Sequence, residues 1–171
     1  YEDFYGSLPL IARNEKGYKR IIELSSKSFL ENDREFPFCK LDELFNNNEG
    51  LIIFSGSVEG FFGKLFNKGK TTEIKKLYKK LSKIYNNNFY IEIQRHNDDD
   101  EKSFELFNLK ESFELKIPLI ATNEVYYLDE SMHEAHDALT CIGSKTYVYD
   151  KKRRKLSNHH YLKTSEEMYE I

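Results

Sequence analysis

The chain has 171 residues, of which 39% are hydrophobic and 32% charged, with a formal net charge of −3. This length suits one domain, and the apolar content supports a packed core, which argues against disorder. The charge balance argues against non-specific nucleic-acid binding by the whole surface but leaves room for a local basic face.

"LPLIAR" (8–13) reads as a short strand. "EKGYKRIIELSSKSFLEN" (15–32) follows as a helix, with Tyr18, Ile21, Ile22 and Phe29 spaced to share its apolar face. "KLDELF" (40–45) is a short helix. "GLIIFSGS" (50–57) is the second strand, apolar at every position from Leu51 to Phe54, as a parallel strand covered on both faces would be. "KTTEIKKLYKKLSKIY" (70–85) is the clearest helix, with a stripe of Ile74, Leu77, Leu81 and Ile84 and its lysines off that stripe. "NFYIEIQRH" (88–96) is the third strand, and "SFELFNLKESFEL" (103–115) a helix with a broad apolar face. "IPLIATN" (117–123) is the fourth strand, with Pro118 near its start, where proline is tolerated. "SMHEAHDALTCIG" (131–143) is a further helix. The tail is polar, with one short helix after Thr164. The runs Asn46–Asn48 and Asn86–Asn88 read as turns, because Asn tolerates the left-handed backbone. Strands alternating with helices predict an α/β fold with mainly parallel strands, open or barrel-shaped, in a single domain over 1–171.

Several chemistries are absent from the pattern. Cys39 and Cys141 lie outside any CxxC arrangement, so zinc ribbons and disulfide frameworks are not expected. There is no Walker A loop, GxGxxG turn or GxSxG elbow. No apolar run nears the roughly 20 residues that span a bilayer, and no signal peptide is visible after Tyr1-Glu2-Asp3, so a cytoplasmic protein without a membrane partner is expected. The missing initiator Met leads us to expect a piece of a longer chain.

In parallel α/β folds, sites gather at the carboxyl ends of strands. Those ends read Ser55-Gly56-Ser57, Gln94-Arg95-His96 and Asn123-Glu124-Val125-Tyr126, which makes His96, Glu124, Ser57 and Tyr126 the leading constellation. His and Glu suit Zn, Mn or Fe, but two ligands are too few for a catalytic centre. "HEAHD" (133–137) lacks the HExxH spacing, and His159-His160 in the polar tail rank lower still. The lysine-rich helix face and "KKRRK" (151–155) are candidates for phosphate contact, with a solvated face and a solvated loop as the preferred readings.

"GLIIFSGSVEG", "NFYIEIQRH", "IPLIATNEVYYL", "EAHDALTCIGSKT" and "YLKTSEEM" occur in an order and spacing that resemble the PHP domain of the bacterial replicative DNA polymerase III alpha subunit. The earlier "ARNEKGYKRIIELSS" is similar to that domain too, so the resemblance covers nearly the whole chain. It implies a partial distorted (β/α) barrel whose first strands, with their HxH motif, lie outside this sequence. The parent would be a DNA-directed DNA polymerase acting in replication, with Mg in its polymerase domain. The partners implied are a proofreading exonuclease subunit, other replicase subunits, and DNA through the rest of the chain.

The resemblance also places metal positions. His96 keeps one, Glu124 stands where Asp is usual, Ser57 where Cys is usual, and Tyr126 where His is usual. A Ser hydroxyl stays protonated where a thiolate would bind, and Tyr rarely replaces imidazole without a compensating charge. The expectation is a degenerate metal site, with His96 and Glu124 as its remnants, no cofactor in this segment and a structural, partner-docking role. The alternatives are an active metal-dependent phosphoesterase or 3′–5′ exonuclease using Zn, Mn or Fe, and a freestanding protein resembling histidinol phosphatase.

Overall fold

A computed structural model describes residues 4–31, 36–98 and 100–171. The opening Tyr1-Glu2-Asp3 and the last residue of the first expected helix, Asn32, lie outside the described residues. The chain forms β1 (Leu10–Ala12), α1 (Glu15–Leu30), β2 (Leu51–Phe54), α2 (Phe61–Asn67), α3 (Thr71–Tyr85), β3 (Phe89–Ile93), α4 (Glu101–Leu115), β4 (Leu119–Ala121), α5 (His133–Ser144) and α6 (Ser165–Glu170). Its contacts divide it into two compact units: Tyr1–Glu92 with Asn108–Ile120, and Ile93–Phe107 with Ala121–Ile171.

The strands form one four-stranded sheet in the order β1-β2-β3-β4. β2 and β3 are parallel, with Ile53 opposite Phe89. The β3–β4 bonds, Ile91 N to Pro118 O and Thr122 N to Ile93 O, rise together along both strands, as parallel pairing requires. β1 departs from the expected direction: it runs antiparallel to β2, with Leu10 opposite Ile53.

In the first unit, α1 buries a different face from the one its apolar spacing predicts. Gly17, Arg20, Leu24 and Ser28 face inward, while Tyr18, Ile22 and Phe29 are exposed. The cause is a backbone approach. A Cβ on Gly17 would stand 1.9 Å from the Gly50 carbonyl oxygen, so only glycine fits there. Gly50, at φ +79°, ends the 46–50 turn and accepts a 2.7 Å bond from Arg13 N. Arg20 then reaches inward to donate to Glu43 O at 2.8 Å. Each asparagine run contains one residue at positive φ, Asn47 (φ 51°) and Asn86 (φ 52°).

The centre of this unit is aromatic and aliphatic. Ile53, Phe62, Ile74, Tyr78, Leu81, Phe89 and Ile91 are fully enclosed. Phe62 packs edge-on to Tyr78 with centroids 4.7 Å apart, and Tyr78 meets Phe89 at 5.6 Å. α2, which supplies Phe62, was not expected from the sequence: it is short, and Gly60 and Gly63 flank and interrupt its pattern. Its entry is set by Gly60 N donating to Ser57 O at 2.9 Å. α3 buries Ile74, Leu77 and Leu81 as expected, leaves the fourth residue of the expected stripe, Ile84, half-buried, adds Tyr78 and Tyr85, and leaves Lys76, Lys79, Lys80 and Lys83 exposed. Burial pushes the Tyr85 phenol up to about 12 while it donates to Leu44 O at 2.7 Å.

The broad apolar face expected of α4 is not its buried one. Leu106, Leu109 and Phe113 are exposed, and the buried stripe is Phe104, Asn108 and Glu111. Polar partners explain two of these. Asn108 accepts from the Tyr78 hydroxyl at 2.9 Å and donates to Glu92 O at 3.3 Å. The Lys75 ammonium stands 2.7 Å from the Glu111 carboxylate.

The second unit is built from loops and short helices. Asp129 caps the turn Glu130–Met132 that leads into α5, accepting from Ser131 N at 3.0 Å. α5 ends on Lys145 in the left-handed conformation (φ 55°), two residues past the expected Gly143. Tyr127 and Tyr161 pair in a parallel bridge. Thr164 caps α6 through a reciprocal pair with Glu167, at 3.2 and 2.7 Å, so the expected terminal helix forms. No helix among the described residues is long and apolar enough to cross a membrane.

Candidate functional site

The second unit holds a buried cluster around His96, at the end of the segment that follows β3. His96 is 1% exposed and stacks on His160, 0% exposed, with ring centroids 4.1 Å apart and planes 3° from parallel. The bonds of each ring assign its protons. Glu124 N donates to His96 Nε2 at 3.1 Å. Nε2 therefore carries the lone pair, and Nδ1–H donates to Glu101 Oε1 at 3.0 Å. The other Glu101 oxygen accepts the His96 backbone N–H at 2.7 Å. Burial pushes the Glu101 carboxyl up, but these bonds outweigh it and hold the group below its ordinary value. On a protonated ring, Nε2 would donate instead to Asn123 Oδ1, 3.0 Å away.

His160 is held by backbone pairing on both sides: Tyr126 N donates to His160 O at 2.9 Å and Leu162 N to Tyr127 O at 3.0 Å. Its Nδ1 faces the Glu124 carbonyl at 3.0 Å, which only accepts, so Nδ1 donates. Its Nε2, the nitrogen left with the lone pair, lies 3.1 Å from Asp98 Oδ2, which is also an acceptor. Buried Lys163 donates to Asn123 Oδ1 at 3.1 Å and to His159 O. Burial holds the Lys163 ammonium below its ordinary value.

Ligand atoms of His96, Asp98 and His160 lie within 4.8 Å of one another. An ion bound by imidazole sits about 2 Å out along the lone pair, in the ring plane. Two rings stacked this nearly parallel send their lone pairs side by side, so they do not converge on one ion. A buried ammonium on the shared Asn123 adds like charge. As placed, the two stacked rings do not fit a shared metal.

The structure brings together part of the constellation expected from the sequence. Glu124 meets His96 through its backbone N–H, while its exposed carboxylate accepts the Tyr126 hydroxyl at 2.8 Å. Burial, and then that carboxylate, hold the Tyr126 phenol above its ordinary value, which keeps it a protonated donor. Ser57 lies in the first unit. His133 and His136 take structural contacts: His133 Nε2 lies 3.0 Å from Leu156 O, and His136 packs 5.3 Å from Tyr127. Sequence reasoning ranked His160 last among the histidines, yet it is the one stacked on His96. Its separation of 64 positions and its polar neighbours gave no periodic signal; the Asp98 and Glu101 carboxylates near His96 were visible only as part of an acidic run.

This α/β chain, with a histidine held past the end of a parallel strand, belongs to the PHP domain family: a family model described as PHP domain matches residues 2–96. The chain is also similar to curated proteins named DNA polymerase III subunit alpha. It is 34% identical over 166 residues to that of Caulobacter vibrioides, covering 95% of this chain. It is 35% identical over 168 residues to that of Rickettsia bellii, covering 98%. It is 34% identical over 165 residues to that of Borreliella burgdorferi, covering 96%. In each case the match spans 14% of the relative's length.

Proposed function

We propose that this chain is part of a bacterial replicative DNA polymerase, a DNA-directed nucleotidyltransferase of the cytoplasm, and that it serves that enzyme as a structural and partner-docking domain. The observation that carries the reading is similarity along 95–98% of the chain to proteins named DNA polymerase III subunit alpha. On this reading both compact units belong to one domain, and the sheet is a segment of a distorted (β/α) barrel. DNA, other replicase subunits and a proofreading exonuclease subunit are the partners, and Mg serves the polymerase chemistry elsewhere in the polypeptide. His96 and Glu124 are remnants of the family's metal site. The hydrogen-bonded stack of His96 on His160 supports a packing role for the residues that remain.

The test is metal content and nuclease activity of the full polypeptide. The expected result is template-directed primer extension, no stoichiometric metal retained by this domain, and retention of an added exonuclease subunit in gel filtration. The closeness of His96, Asp98 and His160 favours one rival, an active metal-dependent phosphoesterase or 3′–5′ exonuclease. Metal-dependent release of nucleotides from single-stranded DNA, abolished by His96→Ala, would establish that rival.

A further inference from the structure

The segment from Tyr147 to Lys155, in the second unit, is ordered in a way that a solvated loop does not require. Tyr147 and Tyr149 are 64% and 78% exposed, and their rings stack with centroids 5.2 Å apart and planes 6° from parallel. A tight turn holds them: Asp150 N donates to Tyr147 O at 3.0 Å, and Tyr147 N donates to Asp150 Oδ2 at 2.9 Å. The basic run Lys151-Lys152-Arg153-Arg154-Lys155 follows directly.

Two cations of that run are committed to structure: Arg154 donates to the Tyr126 hydroxyl at 3.3 Å, and Arg153 is held more firmly. The Arg153 guanidinium grips both oxygens of Asp137 on α5, at 2.5 and 2.7 Å. It also donates to Val148 O, from Nε at 3.2 Å and from Nη2 at 3.1 Å. This planar fork ties the tyrosine turn to α5. Lys151, Lys152 and Lys155 remain exposed, and Lys151 and Lys152 form no ion pair among the described residues.

We propose that this segment is a contact surface for single-stranded DNA. Exposed aromatic rings beside free cations are the two elements of sequence-tolerant single-strand binding: base faces stack on the rings and phosphates meet the lysines. A duplex hides its base faces, so the rings select the unpaired strand. The assignment to DNA rests on the replicase reading above. The chain's overall charge of −3 is compatible with this surface, because the cations are concentrated in one short run.

The test is photo-crosslinking of the full polypeptide to a single-stranded oligonucleotide carrying 5-iodouracil, with the crosslinked peptides mapped by mass. The expected result is a crosslink on the peptide containing Tyr147 and Tyr149. Its yield should fall about tenfold in the double variant Lys151→Glu, Lys152→Glu, and also with added salt. No crosslink on this peptide, a yield unchanged by the charge reversal, or an equal yield with duplex DNA would each overturn the proposal. Primer extension by the same preparation keeps the two readings apart. Extension without the crosslink removes this surface alone, whereas the crosslink without extension counts against the replicase reading and leaves the single-strand contact standing.

Discussion

The two units differ in what surrounds their buried polar groups: the first sets Ser55, Asn108 and Glu111 against a large aromatic and aliphatic core, and the second sets two histidines and a lysine beside a few apolar side chains. The first closes on Phe62, Tyr78, Phe89 and the aliphatic residues of β2, α3 and β3. The second encloses His96, His160 and Lys163 beside Phe104, Tyr127 and Cys141; Glu101 accepts from His96, the Glu124 carbonyl from His160, and Asn123 from Lys163. An apolar core gains from area removed from water in any direction, so it tolerates approximate placement. A buried polar cluster gains only when each donor meets its acceptor, so the surroundings of His96 depend on individual bonds.

The largest expected effect lies in the first unit. Phe62→Ala should cost about 3–5 kcal/mol, because it removes a fully buried ring and leaves a cavity, measured by urea denaturation. A loss below ~1 kcal/mol would mean that the core collapses onto the gap. Next is Glu101→Ala in the second unit, which leaves the His96 ring and backbone N–H groups without their acceptor. It should cost about 1–3 kcal/mol and speed amide exchange at His96, leaving exchange in β2 unchanged. Equal acceleration in both units would erase the contrast drawn between them.

A smaller effect should come from pH. The Glu101 carboxyl is held below its ordinary 4.5, so the folded state binds its proton less readily than the unfolded chain. Its stabilisation is complete above that ordinary value and is lost as pH falls through the lower folded value. The second unit should therefore loosen first on acidification, seen as loss of His96 amide protection after correction for intrinsic exchange. Glu101→Ala should flatten that profile. The smallest effect is Lys79→Ala on the exposed face of α3, expected to change stability by no more than about 0.5 kcal/mol. A larger loss would show that this face is more than a solvated surface.

Much of the fold was legible in local pattern. The strand of Leu51–Phe54, three of the four stripe residues of α3, the two asparagine turns and the Thr164 helix start depend on near neighbours in sequence, and each appears where it was expected. The inward face of α1 was not legible, because the contact of Gly17 with Gly50 joins residues 33 apart and overrides the helix's own apolar spacing. The same holds for α4, whose polar side chains turn inward to meet Tyr78 and Lys75.

For the candidate site, the sequence by itself determined that His96 follows a strand and that Asn123 and Glu124 follow another, because strand ends are set by local hydrophobicity. Only the tertiary structure decided what His96 does there. It brings His160 from 64 positions away to stack on the ring, turns Glu101 and the Glu124 amide onto its two nitrogens, and places Lys163 on the neighbouring Asn123. The reason is physical: a buried polar group takes whichever partners the folded chain delivers within hydrogen-bond distance, and sequence spacing does not encode that delivery.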